Sequence, residues 1–287
     1  MKKKIFWIAS YPKSGNTWMR AILTSLFFTK DGIFSFELFK STSIFEHAER
    51  FEFIKEINSS NYNKLSQIDT LSKYWIEAQN KTIIKGDFAF LKTHHACINY
   101  NSNDFTSINN SLGTVYLVRD PRDIAISYSK HIGKTIDETI YIMKKIGAST
   151  LYKTGSNTKN KKYYSYISSW DDNIKSWEGF QVPKIIIRYE DLLDNASEKI
   201  LEIINFFKKN YNIEFSNIEN KLKNIVETTN FDNLSHLEKE HGFIEATKHS
   251  NFFRKGKKKQ WKDILTSKQI NEIENCFKDS MKKYNYL

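Results

Sequence analysis

Ile5, Phe6, Trp7, Ile8 and Ala9 form an unbroken apolar run with no polar alternation, and this run constrains the fold most. A strand wetted on one face alternates, whereas a strand buried on both faces does not, and double burial is the condition of a parallel sheet. Turn residues 10–16 come next, and then Trp18, Ile22 and Leu26, with Leu23 and Phe27, return at helical spacing over residues 17–28. The same grammar recurs. Residues 114–118 read as a second buried strand, running into Asp120 as an N-cap, Pro121 at the first helical position and a helix over 122–131. Residues 184–188 read as a third, followed by Tyr189, Glu190, Asp191 and a helix near 197–209, and residues 82–92 read as a further strand. Strand, turn and helix in repetition predict parallel βαβ units and a three-layer α/β fold, a central parallel sheet flanked by helices. Ligands of such sheets bind beyond the carboxyl ends of the strands, which places residues 10–17, Arg119 and Tyr189 along one edge.

Nothing in the composition breaks this pattern into pieces. Three Pro and ten Gly are scattered over 287 residues, so no linker is visible and a single domain over 1–287 is expected. The apolar fraction of 40% is ample for a sizeable core. Residues 148–165 and 251–259 are polar and aperiodic, and both read as exposed loops, the first a mobile one. Cys97 and Cys276 are far apart and lack metal-type spacing, which suits a reducing compartment. The apolar run after Lys2, Lys3 and Lys4 is too short for a secretory signal, since Pro12 and Lys13 come at once. No segment has the length to span a bilayer, so a cytoplasmic protein without stable membrane insertion is expected.

The formal charge is +11, and residues 248–262 carry seven Lys or Arg and no acid. Such a run is most often a solvated face; a phosphate-bearing ligand, nucleic acid and an anionic membrane are the functional readings, and composition does not rank them. The turn of Tyr11, Pro12, Lys13, Ser14, Gly15, Asn16 and Thr17 is more specific. Between a buried strand and a helix, backbone amides and the helix N-terminus collect an anion, Gly15 permits close approach, Ser14 and Thr17 add hydroxyls, and Lys13 adds charge. A plain strand–helix connection has the same outline. The order differs from a Walker A loop, because the lysine precedes the glycine and the first glycine is missing. No second carboxylate motif is present to hold magnesium, so a metal-dependent NTPase or kinase is disfavoured and no metal site is expected.

With Trp18 added, that turn resembles the 5′-phosphosulfate loop of the cytosolic sulfotransferases that use PAPS (3′-phosphoadenosine 5′-phosphosulfate). Phe90, Leu91, Lys92, Thr93 and His94 resemble the family's Lys-Thr-His segment. The stretch from Arg119, Asp120, Pro121 and Arg122 to Ser127 and Tyr128 resembles its 3′-phosphate motif, and Phe253, Arg254, Lys255 and Gly256 with Trp261 resemble its Arg-Lys-Gly loop. Four matches in order span residues 5 to about 262. The resemblance implies a P-loop-like fold, PAPS as donor, PAP (3′-phosphoadenosine 5′-phosphate) as product, and a small-molecule acceptor bearing a hydroxyl or amine. It gives the basic run a ligand other than nucleic acid. It implies that Lys13, Ser14, Gly15, Asn16 and Thr17 hold the phosphosulfate, and that Arg119, Ser127, Arg254 and Lys255 hold the 3′-phosphate, with Tyr189 on the same edge. Trp18 and Phe231, the latter close to Thr229, would stack the adenine, although for Phe231 a place in the core suits equally. Lys13 would serve the bridging oxygen, Lys92 the sulfuryl oxygens, and His94 would take the acceptor's proton.

The departures are also legible. His95 adjoins His94 where the family usually has Leu, so either histidine is open as the base. The loop after Gly256 reads Lys257, Lys258, Lys259, Gln260 and lacks a second Gly. The family's dimerisation segment would fall on residues 262–271; Lys262 and Thr266 are kept, but Ser267 and Asn271 replace Val and Glu, which points to a monomer or weak dimer. The competing readings are a P-loop kinase or switch, which requires magnesium and a triphosphate, and a polyanion-binding module, which requires steep salt dependence.

Overall fold

A computed structural model describes residues 4–54, 67–82, 86–153, 162–243, 245–246, 252–253 and 255–287. In chain order, β1 (Lys4–Ser10) turns into α1 (Asn16–Phe28), and a brief β2 (Ser43–Ile44) comes after it. Two short helices, α2 (Ile68–Leu71) and α3 (Trp75–Asn80), precede β3 (Phe88–Thr93). A tight antiparallel pair, β4 (Asn99–Tyr100) and β5 (Asn103–Asp104), comes before β6 (Ser111–Val118), α4 (Pro121–Ile132) and α5 (Ile136–Lys144). Then come β7 (Ser149–Lys153), β8 (Lys162–Tyr166), α6 (Trp170–Gly179) and β9 (Lys184–Arg188). The rest is largely helical: α7 (Tyr189–Asp194), α8 (Ala196–Tyr211), α9 (Ile218–Thr229), α10 (Phe231–His241), α11 (Trp261–Ile264), α12 (Ser267–Cys276) and α13 (Lys278–Lys283).

The central parallel sheet has five strands in the order β2-β3-β1-β6-β9, flanked by helices. The expected strand at 184–188 is β9, the run at 5–9 and that at 114–118 lie within β1 and β6, and the strand expected at 82–92 is shorter and later, since β3 starts at Phe88 and leaves Thr82, Gly86 and Asp87 outside it. Residues 83–85 lie outside the described ones. In the β1–β3 pairing Ile8 stands opposite Lys92 and Ala9 opposite Thr93, so Ser10 and His94 leave the two strands side by side.

The chain divides into two compact units, each made of separate stretches. The first comprises residues 1–11, 43–116 and 145–184. Its core gathers on Trp7, whose ring centroid lies 5.4 Å from Phe105, 5.6 Å from Phe45 and 5.9 Å from Trp177, and whose indole N–H donates to Ser111 Oγ at 2.8 Å. A buried indole of this size needs such a partner, and Ser111 supplies it at the start of β6. This unit also corrects one expectation. The segment over 148–165 is not simply a mobile loop, because β7 and β8 pair antiparallel from Ser149↔Tyr166 to Lys153↔Lys162. Tyr163 and Ser165 on β8 are fully buried, so the polar-looking strand carries an inward face; residues 154–161 lie outside the described ones.

The second unit comprises residues 12–42, 117–144 and 185–287. The apolar face of α1 is buried through Met19, Ala21, Ile22, Leu23 and Leu26. Helix α4 begins as its sequence dictates, with Asp120 accepting from the Arg122 amide, Pro121 at the first position, and Gly133 closing the far end at φ 68°. A second cluster joins Ala21, Phe34, Leu234 and Phe253, with Trp18, Phe231, Phe243 and Phe252 packed around it.

Candidate nucleotide and active site

The turn after β1 is shaped by two left-handed residues, Lys13 at φ 65° and Gly15 at φ 99°. Gly15 is required for space as well as for φ: a Cβ there would stand 2.6 Å from Tyr189 Cδ2. No side chain caps α1, so its first-turn amides face the turn itself. Ser14, Asn16 and Thr17 are all buried. Three buried polar atoms here, Ser14 Oγ, Trp18 Nε1 and Arg119 Nε, have no hydrogen-bond partner among the described residues. Native structures seldom leave such groups unpaired.

Arg119, at the end of β6, is buried with its guanidinium on the Tyr189 ring, 4.3 Å from the centroid. Its Nη1 donates to Lys13 O at 3.0 Å and its Nη2 to Lys257 O at 3.2 Å. The arginine therefore ties the α1 turn to the 255–259 segment. Lys13 Nζ lies 3.9 Å from the centre of Phe252, a residue outside the nucleotide-binding set expected from the sequence. Trp18 meets Tyr189 edge-on at 5.9 Å. Phe231 packs against Phe253 at 6.3 Å, and Gly256, at φ 58°, leaves no room for a Cβ, which would fall 2.2 Å from the Phe231 ring. Lys13, Gly15, Trp18, Arg119 and Tyr189 thus come together, as do Phe231, Phe253 and Gly256. Lys255 is exposed and Ser127 half-buried on α4, while the Thr229 hydroxyl is spent on Ile225 O at 2.7 Å. Arg254 lies outside the described residues. Asp123 was also missed: on α4 it accepts from the amides of Lys259 at 2.7 Å and Trp261 at 3.1 Å, fixing the basic segment from below.

In the other unit, Lys92 is buried near the end of β3. His94 is half-buried, and its Nδ1 lies 2.8 Å from Ser10 O. A ring nitrogen facing a carbonyl oxygen carries the proton, which leaves Nε2 with a lone pair. The backbone of His94 is held at both ends, its amide donating to Glu46 Oε1 at 2.7 Å and its carbonyl accepting from Asn173 Nδ2 at 3.0 Å. Glu46 Oε1 also accepts from the Thr93 hydroxyl and the His95 amide, so one buried carboxylate holds Thr93, His94 and His95 together. Sequence reading had no signal for Glu46, because its partners lie 47 to 49 positions away.

His95 is a different residue in kind. It is fully buried, stacked on Phe105 at 4.2 Å and edge-on to Trp75 at 4.6 Å, and its Nδ1–H donates to Ala96 O at 2.7 Å. Burial pulls its pKa down to about 3, so the ring is neutral. It fills the core of its unit.

Residues 3–285 match the sulfotransferase domain family. The chain belongs to that family. This sulfotransferase is 23% identical to Sulfotransferase 2A2 of Rattus norvegicus over 279 residues, covering 96% of this chain and 83% of the relative. It is 26% identical to Sulfotransferase 1B1 of Mus musculus over 284 residues, covering 96% and 81%. Among solved structures it is similar to mouse sulfotransferase SULT7A1 complexed with PAP, at TM-score 0.60 and 20% identity, covering 98% of this chain and 84% of that one. It is also similar to retinol dehydratase in a complex with retinol and PAP, at TM-score 0.62 and 18% identity, covering 98% and 82%. The chain is a sulfotransferase enzyme by family, and it shares the P-loop-like fold of those structures. Among its described residues no helix is long and apolar enough to cross a membrane, and no three His, Cys, Asp or Glu side chains gather as a metal site.

Proposed function

We propose that this sulfotransferase moves the sulfuryl group of PAPS to a hydroxyl or amine of a small-molecule acceptor, with His94 as general base and PAP as product. The observation that carries the donor assignment is the set of buried unpartnered donors, Ser14 Oγ, Trp18 Nε1 and Arg119 Nε, around a turn built from left-handed backbone. Each such group costs about 1–3 kcal/mol while unsatisfied, and anionic oxygens recover that cost. The residues present therefore fit a nucleotide bearing two anionic groups. Lys13, Ser14, Gly15, Asn16 and Thr17 would hold its phosphosulfate end. Arg119, Ser127, Arg254 and Lys255 would hold the 3′-phosphate, with Trp18 and Phe231 on the adenine.

The donor supplies a good leaving group at sulfur. The chain itself supplies charge and a proton acceptor. The acceptor's oxygen or nitrogen forms a bond to sulfur as the bond from sulfur to the bridging oxygen breaks. The acceptor's proton passes to His94 Nε2, which the Ser10 carbonyl keeps in the receptive tautomer. Lys13 would meet the negative charge gathering on the leaving oxygen, and Lys92 the sulfuryl oxygens. Retinol and androsterone in the similar structures belong to those proteins, and the acceptor here is proposed only as a small molecule.

Calorimetry without added metal tests the donor site. PAP is expected to bind at least ~30-fold more tightly than AMP or ATP, about 2 kcal/mol for a charge-assisted 3′-phosphate clamp. Equal affinity for PAP and AMP rejects the roles of Arg119 and Ser127.

A further inference from the structure

Glu238 lies on α10, outside the stretches that resemble the family, and it is buried to 7% exposure. Its two carboxylate oxygens accept from two consecutive backbone amides: Oε1 from Phe252 N at 2.6 Å and Oε2 from Phe253 N at 2.8 Å. Holding two adjacent amides fixes a peptide in both position and orientation, which one contact does not. The side chains and backbone next to that peptide touch Lys13, Phe231 and Arg119. The Phe252 ring lies under the Lys13 ammonium at 3.9 Å. Phe253 packs with Leu234 and with Phe231, the ring against which Gly256 is moulded. One residue beyond Gly256, Lys257 O accepts from Arg119 Nη2.

We propose that Glu238 is a positioning residue that sets nucleotide affinity, by clamping the Phe252–Phe253 peptide from which Lys13, Phe231 and Arg119 take their places. The proposal rests on the assignment of this region to the nucleotide. Glu238 itself touches neither donor nor acceptor. Leu234, one turn earlier on the same face of α10, is buried in the aromatic cluster, so the helix cannot rotate to release the clamp without exposing it.

The decisive variant is Glu238→Gln, which keeps the shape but turns an NH2 group toward one of the two amides. PAP affinity is expected to fall about tenfold, the worth of one charge-assisted hydrogen bond. The single-turnover rate at saturating PAPS should fall as well, but by less than the affinity, because Lys13 loses its place on Phe252 while His94 and Lys92 are untouched. Glu238→Asp, which restores the charge at shorter reach, should recover part of the affinity. Ile200→Ala on α8 serves as a purely structural lesion: it should lower Tm while the folded protein keeps its PAP affinity. Hydrogen exchange on the wild-type chain adds a reading that needs no variant, with the Phe252 and Phe253 amides expected to be protected before any ligand is added. Unprotected amides overturn the clamp, and wild-type PAP affinity in Glu238→Gln overturns its role. A matching affinity loss in Ile200→Ala reduces Glu238 to general stability. Failure of the wild-type chain to bind PAP rejects the nucleotide assignment, and this inference with it; normal wild-type binding beside an unaltered Glu238→Gln rejects this inference alone.

Discussion

His95 enters the folded core as a neutral ring, while in the unfolded chain its pKa returns to about 6.5. Its folded value is the depressed one, so the unfolded state binds the extra proton at intermediate pH. Its contribution is complete above about pH 6.5 and drains away as pH falls toward 3, by about 1.4 kcal/mol per unit. Urea unfolding between pH 7 and pH 5 should show this slope, and His95→Gln should flatten it at some cost in stability from the lost stacking on Phe105. A slope unchanged by that substitution refutes the account. The same burial clarifies kinetics. A fully buried ring is closed to an acceptor, so His94 remains the proposed base. His94→Ala should lower kcat by roughly 10²- to 10⁴-fold and leave PAP affinity intact. In sequence the two histidines are indistinguishable neighbours. They diverge only because β3 ends between the sheet and the Trp75–Phe105 core, a fact of packing with no periodic trace.

Among the elements, α4 was the most legible. Aspartate followed by proline after a buried strand leaves the backbone one easy course, with a cap, a preset φ and a helix. The sequence did not disclose how much hangs on the cap. Asp120 pairs with Arg122, both almost fully buried, while Arg122 also binds Glu274 and Tyr286 O and stacks on Trp261 at 3.8 Å. Asp120→Ala should therefore cost more than the ~1 kcal/mol of an ordinary N-cap and less than the roughly 3–5 kcal/mol of an orphaned buried charge, because Glu274 still pairs with Arg122. Chemical denaturation checks the value against those two bounds. The β7–β8 hairpin stayed hidden for the opposite reason. Tyrosines 163, 164 and 166 occupy both of its faces, so inward and outward positions carry the same residue type and the alternation disappears.

For the whole molecule, the layered α/β class was readable because burial on both faces leaves an unmistakable apolar run. The two-unit organisation was not. The boundaries after Tyr11, Tyr116 and Lys184 fall at a turn and inside β6 and β9, where neither a polar linker nor a glycine-rich stretch exists to announce them. Side chains that act as hubs, Glu46 and Glu238, were invisible for a related reason. Each serves amides far along the chain, and a lone glutamate in a sequence carries no sign of the peptide it will hold.

The close fit of Gly15 against Tyr189, and of Tyr189 beneath Arg119, has a consequence for heredity. A lineage that acquired a side chain at position 15 would have to displace the tyrosine, and the tyrosine could not move without withdrawing the surface on which the arginine lies. Single steps through that corner are closed, and only paired changes remain passable. Residues from three distant stretches of chain are thus bound to drift together, as linked loci, however freely the surface around them varies.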